Sequence, residues 1–279
     1  MEKQSRNYSL DLLRIVSMFM ILLLHAGSHG CGGGISLMSP ITMAVAVYGV
    51  NLFVLISGYF VSTQVMRPSR VLKLLFATAF YAWLWMGISY IFCNNTDQLK
   101  LSSFLLNPYL QYWFIWQYLL VYISSPLWNF IISKVSKFWH LAIILALLTY
   151  MTFVPDVKFL VAGEDSINLG YSWRWFVALY FIAAYIRKNA VADMFENKKM
   201  LLVGNVICCC LLFGSWLYLE PDKHVLFELN SITYYFYRYN SFFALLGSLS
   251  LFLYFIKSQV TKECVVRLVT WASPLILGV

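Results

Sequence analysis

Charge is scarce in this chain. Only 11% of its 279 residues are Asp, Glu, Lys or Arg, whereas 61% are hydrophobic and 18% aromatic. A soluble domain has about a quarter of its residues charged. With so little polar surface to face water, lipid is the solvent that fits most of the chain. Acidic residues are the scarcer sign, 12 against 20 Lys and Arg, and none falls in the long uncharged runs described below. That argues against a carboxylate or metal site buried there, of the kind a membrane glycosyltransferase would need. The six cysteines, Cys31, Cys93, Cys208, Cys209, Cys210 and Cys264, make no metal-ligand spacing with any of the 4 histidines. Internal repeats are lacking, which argues against a secondary transporter assembled from repeated halves. A cleavable signal peptide is also lacking, because the first apolar run holds Asp11 and Arg14 and no small-residue cleavage site.

What the chain does have is length of apolar run. Residues 41–61, 74–93, 110–132 and 200–219 contain no charge, and as helices each is long enough to cross about 30 Å of hydrocarbon. Residues 239–256 form a fifth run of marginal length. Weaker runs at 10–26, 138–154 and 171–186 complete the set, the first and last carrying Asp11, Arg14 and Arg174. A ninth begins near Leu268 and is still running at Val279, so the chain is expected to be truncated or part of a larger protein. The expected fold is all-α: a polytopic transmembrane bundle of eight complete spans plus the start of a ninth, forming one domain over residues 1–279.

The net charge of +8 is explained by topology rather than by nucleic acid. Counting alternate loops puts fifteen of the 20 basic residues on the side of the N-terminus. The other side receives Lys100, Lys158, Arg174, Lys223 and Arg238. This positive-inside bias predicts a cytoplasmic N-terminus. Cys31 and Cys93 then both fall outside, where a disulfide between them stays open, while Cys208 to Cys210 lie mid-span as small apolar residues. Asn94-Asn95-Thr96 is an outer glycosylation sequon, meaningful only in a cell that glycosylates there. The outer turn with Gly30, Gly32, Gly33 and Gly34 reads either as a flexible linker or as backbone that approaches a ligand closely. Outer loops at residues 94–108 and 155–170 have the polar composition of a water-facing mouth.

Arg14 and His25 stand out in the first run. Eleven steps of about 100° leave them roughly 20° apart around a helix and about 16 Å apart along it, on one face at two depths. A charge in a span costs on the order of 2.5–3.5 kcal/mol at its centre and usually faces a cavity or partner. Arg14 also has ordinary readings: it is near the cytoplasmic end, where it can snorkel or pair with Asp11. For His25 the ordinary reading is a histidine hydrogen-bonded within the bundle.

Arg, ten residues and His in a first helix resembles the signature of the membrane-bound acyltransferase-3 family. The resemblance extends along the chain. Residues 53–60, Phe-Val-Leu-Ile-Ser-Gly-Tyr-Phe, look like the family's Ser-Gly-aromatic motif, and Arg67-Pro68-Ser69-Arg70 is similar to its Arg-x-x-Arg element. Tyr112-Trp113-Phe114 leading to Tyr122 and Pro126 resembles its fourth-helix segment, and Ser273-Pro274 to Gly278-Val279 the start of a late helix.

The resemblance implies an O-acyltransferase that moves an acyl group, expected to be acetyl, from cytoplasmic acyl-CoA to a hydroxyl of a cell-surface polysaccharide or glycolipid. His25 is then the catalytic histidine. A neutral imidazole with a reference pKa of about 6.5 can accept a hydroxyl proton near neutral pH. Arg14 is expected to bind the donor or orient a polar group. Arg67 and Arg70 are expected to meet the phosphates of coenzyme A, since guanidinium forks suit phosphate oxygens, although plain positive-inside charge explains them too. Ser57 and Gly58 are expected to serve helix packing with some contact to the pantetheine. Trp113 and Gln117 are expected to line the site, and Arg174 and Arg238 to snorkel, stack on aromatics or bind the acceptor. Tyr118 and Tyr122 read as bundle filler. No metal, no permanently bound cofactor and no nucleic-acid partner is expected; the partners are membrane lipid, acyl-CoA and the glycan acceptor, in a bacterial plasma membrane. The alternative is a non-catalytic transport or sensing domain of a larger protein.

Overall fold

The computed structural model describes residues 6–29, 38–93, 113–154, 169–219 and 236–272. The expectations for the glycine-rich turn, for Cys31, for the sequon, for the tips of both outer loops, for Tyr112 and for the segment from Ser273 to Val279 lie outside these residues, as does the side chain of Cys93. Every regular element among the described residues is helical.

In chain order the helices are α1 (Tyr8–His29), α2 (Met38–Ala46), α3 (Tyr48–Val61), α4 (Pro68–Cys93), α5 (Trp113–Ile123), α6 (Ser125–Lys134), α7 (Lys137–Leu148), α8 (Trp173–Lys188), α9 (Lys198–Leu219), α10 (Phe242–Lys257) and α11 (Glu263–Ala272). Four stretches are long and apolar enough to cross a membrane: Tyr8–His25, Pro40–Val61, Pro68–Ile88 and Lys198–Tyr218. A fifth is added if the bent pair α5 and α6 counts as one span. Lys137–Phe153 and Phe242–Lys257 are shorter apolar helices. The run read as 110–132 is therefore broken. Its two halves meet at 49° around Ser124, just before Pro126, whose ring cannot continue a regular helix. Ser124 Oγ donates to Leu120 O at 2.5 Å and accepts from Trp128 Nε1 at 2.8 Å, so polar groups at the break find partners.

Serine side chains set several of the starts. Ser136, Ser172 and Ser241 cap α7, α8 and α10 by accepting from the backbone N–H of Trp139, Trp175 and Ala244.

Helix α3 is the axis of the bundle, and its Leu52, Leu55 and Ile56 are fully buried. Lipid tails are as apolar as leucine, so close packing rather than removal from water holds these helices together. Side-chain contacts give the relative directions. Asn51 meets Trp175 and Tyr59 meets Arg187, so α8 runs parallel to α3. Phe53 packs on Phe114 while Arg67, just past α3, meets Tyr122, and Tyr48 lies against Gly247 while Tyr59 packs on Phe252, so α5 and α10 run parallel to α3 as well. Gly49 lies against Met20 while Arg14 reaches Phe60, so α1 is antiparallel. Helix α9 is also antiparallel to α10, since Asn205 Nδ2 donates to Gly247 O at 3.0 Å and Tyr237 Oη to Leu212 O at 2.9 Å. Helices α3, α5, α8 and α10 thus point one way, and α1 and α9 the other.

The outer helices turn apolar side chains away from the bundle: Phe76 and Ile91 of α4 and Tyr218 of α9 are each at least 70% exposed. Such surfaces suit lipid. Arg70, Lys134, Arg187, Lys188 and Lys257 gather at one end of the bundle, which we call the basic end.

Candidate active site

The basic end of α3 is where the chemistry-bearing residues converge. A helix leaves its last four carbonyls without partners inside itself, and here neighbouring spans supply them. Arg187 Nη1, at the end of α8, donates to Tyr59 O at 2.6 Å. Asn129 Nδ2, on α6, donates to Val61 O at 3.1 Å, and its Oδ1 accepts from Tyr180 Oη at 2.6 Å. Lys188 does the same for α6, with Nζ 2.8 Å from Ile132 O. Cations at the C-terminal ends of helices also oppose the negative pole of the macrodipole.

Arg14 is buried, 6% exposed, so it does not snorkel to water. Its Nη1 lies 3.6 Å from Asp11 Oδ1, and Asp11 is shared with Arg6 at 2.7 Å. The Arg14 guanidinium carbon is 5.9 Å from the Phe60 ring centroid, within range for a cation–π attraction. Arg70 donates to Gln64 Oε1 at 3.0 Å. The side chain of Arg67 is exposed, and its backbone N–H donates to Tyr122 Oη at 3.2 Å.

Beside these arginines lies a cavity of about 20 Å³, lined by Val54, Ser57, Gly58, Val61, Tyr118, Val121, Tyr122, Phe176 and Tyr180. It has room for about one water. Ser57 is the hydrogen-bonding neighbour of Tyr118, whose hydroxyl also feels the charges of Arg14 and Arg70. Phe114, Tyr118 and Tyr122 stack in sequence along α5, with centroids 6.0 and 6.3 Å apart. This narrow apolar slot lies beside the arginine cluster, with Ser57, Tyr118, Tyr122 and Tyr180 in its wall.

Of the residues expected from the sequence, Arg14, Arg70, Ser57 and Gly58 are brought together. Gly58 lies at the slot wall, where a Cβ would come within 3.2 Å of Tyr180 Cα and α8 would have to give by a few tenths of an ångström. Tyr118 and Tyr122, read as bundle filler, line the cavity. Arg187, read only as positive-inside charge, reaches the cluster from α8. No local pattern marks it, although its place at the end of an apolar helix is the position of a cap.

His25 is exposed near the opposite end of α1, some 16 Å along the helix from Arg14. Towards that end Trp113 joins Tyr171 and Tyr239, at centroid distances of 4.5 and 6.0 Å. Gln117, one turn further in, has a buried Oε1 with no hydrogen-bond partner among the described residues. Arg238 is 6% exposed, next to Tyr239, whereas Arg174 is exposed.

No curated protein and no solved structure matches the chain. A family profile described as an acyltransferase domain matches residues 7–271. That match takes in α1 with Arg14 and His25, the slot and the arginine cluster alike, and the chain belongs to the acyltransferase-3 family of membrane acyltransferases.

Proposed function

We propose that this protein takes an acyl group, acetyl by preference, from cytoplasmic acyl-CoA and places it on a hydroxyl of a cell-surface polysaccharide or glycolipid. In this reading the basic end faces the cytoplasm of a bacterial cell, and eight spans cross its plasma membrane. The donor nucleotide stays at that end against Arg14, Arg67 and Arg70, while its pantetheine enters past Ser57 and Gly58. Trp113, Gln117, Arg174 and Arg238 serve the acceptor at the opposite end, where the unpartnered Gln117 Oε1 offers an acceptor to an incoming N–H or O–H. His25 takes the proton of the attacking hydroxyl. The hydroxyl oxygen bonds to the thioester carbonyl carbon, the C–S bond breaks, and the proton leaves with the coenzyme A thiolate. No resident cofactor or metal takes part.

The observation that supports this reading best is the pair Arg14 and Arg70 beside the narrow apolar slot that Ser57 and Gly58 line, in a chain whose family match runs over residues 7–271. The test incubates membranes with labelled acetyl-CoA and follows label into glycan, for the wild type and His25→Ala. The expected result is complete loss of transfer in the variant with its thermal melt unchanged. Undiminished transfer by folded His25→Ala would remove His25 from the mechanism. Donor binding without any transfer by the wild type would favour a transport or sensing role.

A further inference from the structure

Arg187 has more to do than cap α3. Its guanidinium carbon lies 4.8 Å from the Tyr59 ring centroid and 5.8 Å from that of Phe60, the same ring that Arg14 approaches at 5.9 Å. Two guanidiniums referred to one ring are at most about 12 Å apart. Arg70 interacts electrostatically with Arg14, so cations from α1, α4 and α8 surround the end of α3. Among the described residues, a carboxylate pairs with Arg14 alone of the three, and that carboxylate, Asp11, is already shared with Arg6. Like charges brought to one helix end in a partly buried setting repel, and an anion that joins them relieves the repulsion. The α3 macrodipole supplies only about half a charge, too little to balance three.

We propose that Arg187, with Arg14 and Arg70, forms a three-arginine seat for the separated phosphate groups of a nucleotide thioester. This rests on the acyl-CoA reading above and adds to it a ligand from α8. The chemistry points to a polyphosphate: three guanidiniums offered by three helices match the several charges of a diphosphate together with a ribose phosphate. Tyr59 O occupies one of the five guanidinium donors of Arg187, and a planar fork can hold that carbonyl and a phosphate oxygen at once. The contact to Tyr59 then has a second use, fixing the fork in place before the ligand arrives.

The test uses the full chain reconstituted in lipid, with the wild type, Arg187→Lys and Arg187→Met. Equilibrium binding is measured with coenzyme A, and acyl transfer with two donors, acetyl-CoA and the phosphate-free S-acetylpantetheine. We expect Arg187→Met to weaken coenzyme A binding at least tenfold and to raise KM for acetyl-CoA by a similar factor, with less than a twofold change for S-acetylpantetheine. Arg187→Lys, which keeps the charge and loses the fork, should fall between and carries the test if the Met variant does not fold. Equal losses with both donors would reduce Arg187 to a helix cap, and unchanged coenzyme A affinity would remove it from the seat. A wild type that binds no coenzyme A would overturn the donor reading itself, and the seat with it. Binding of coenzyme A without transfer would leave the seat standing and overturn only the catalytic part.

Discussion

Replacing Gly58 by alanine tests whether α3 and α8 are as close as the slot requires. The new methyl would lie 3.2 Å from Tyr180 Cα and from Ala183 Cβ, and 3.4 Å from Tyr180 Cδ2. Carbon atoms in comfortable contact are about 3.5–4.0 Å apart, so α8 must retreat by a few tenths of an ångström. One of the obstacles is backbone, which rotamer changes cannot relieve. Overpacking of this kind costs about 1–3 kcal/mol, while alanine gains about 0.8–1.0 kcal/mol over glycine as a helix former. Gly214→Ala isolates the second quantity, because nothing lies within 4 Å of a Cβ there. The two variants should therefore differ by about 1–3 kcal/mol, or roughly fivefold to more than a hundredfold in folding equilibrium. Denaturation of the purified protein in mixed micelles measures this difference. Because Gly58 lines the slot, its variant should also raise KM for the acyl donor, and Gly214→Ala should not. If Gly58→Ala matches Gly214→Ala in both stability and KM, the helices are not packed as described.

Gly247→Ala should be more damaging, since its Cβ would overlap the ring of Tyr48, with Cζ only 2.6 Å away and the ring fully buried. We expect poor folding that Tyr48→Leu in the same chain partly restores, read by yield and thermal melt; a well-folded single variant would refute the contact. Tyr180→Phe removes the 2.6 Å bond to Asn129 Oδ1, leaving a part-buried acceptor unsatisfied at a cost of about 1–3 kcal/mol. A loss below about 0.5 kcal/mol in the same micelle assay would show that the Asn129 link between α6 and the end of α3 is dispensable.

Helix positions were legible from hydrophobic run length because a membrane demands it: backbone polar groups in hydrocarbon must be satisfied within the segment, so each long apolar run has to become a helix. The runs at 41–61 and 200–219 match helical stretches at Pro40–Val61 and Lys198–Leu219. Breaks were harder to read. The run at 110–132 looks continuous by hydropathy, and only the local polar partners of Ser124 and the nearby Pro126 explain its 49° bend. Arg14 and His25 were legible as a pair because helical periodicity puts residues eleven apart near one face. The same periodicity says nothing about which neighbours cover that face, and Arg14 proved buried while His25 is exposed.

Composition and periodicity are local properties, and they were sufficient for an all-helical chain with several apolar helices. Partnership between helices is not local. Arg187 reaches Tyr59 across 128 positions and Tyr180 reaches Asn129 across 51, and nothing in the chain between them records either distance. Packing alone decided that Tyr118 and Tyr122, buried in the bundle as expected, also line a slot, and that an arginine from α8 stands at the end of α3 that Arg14 approaches. The reason is geometric: a charge or a ring acquires its role from what stands opposite, and that is known only once the helices are side by side.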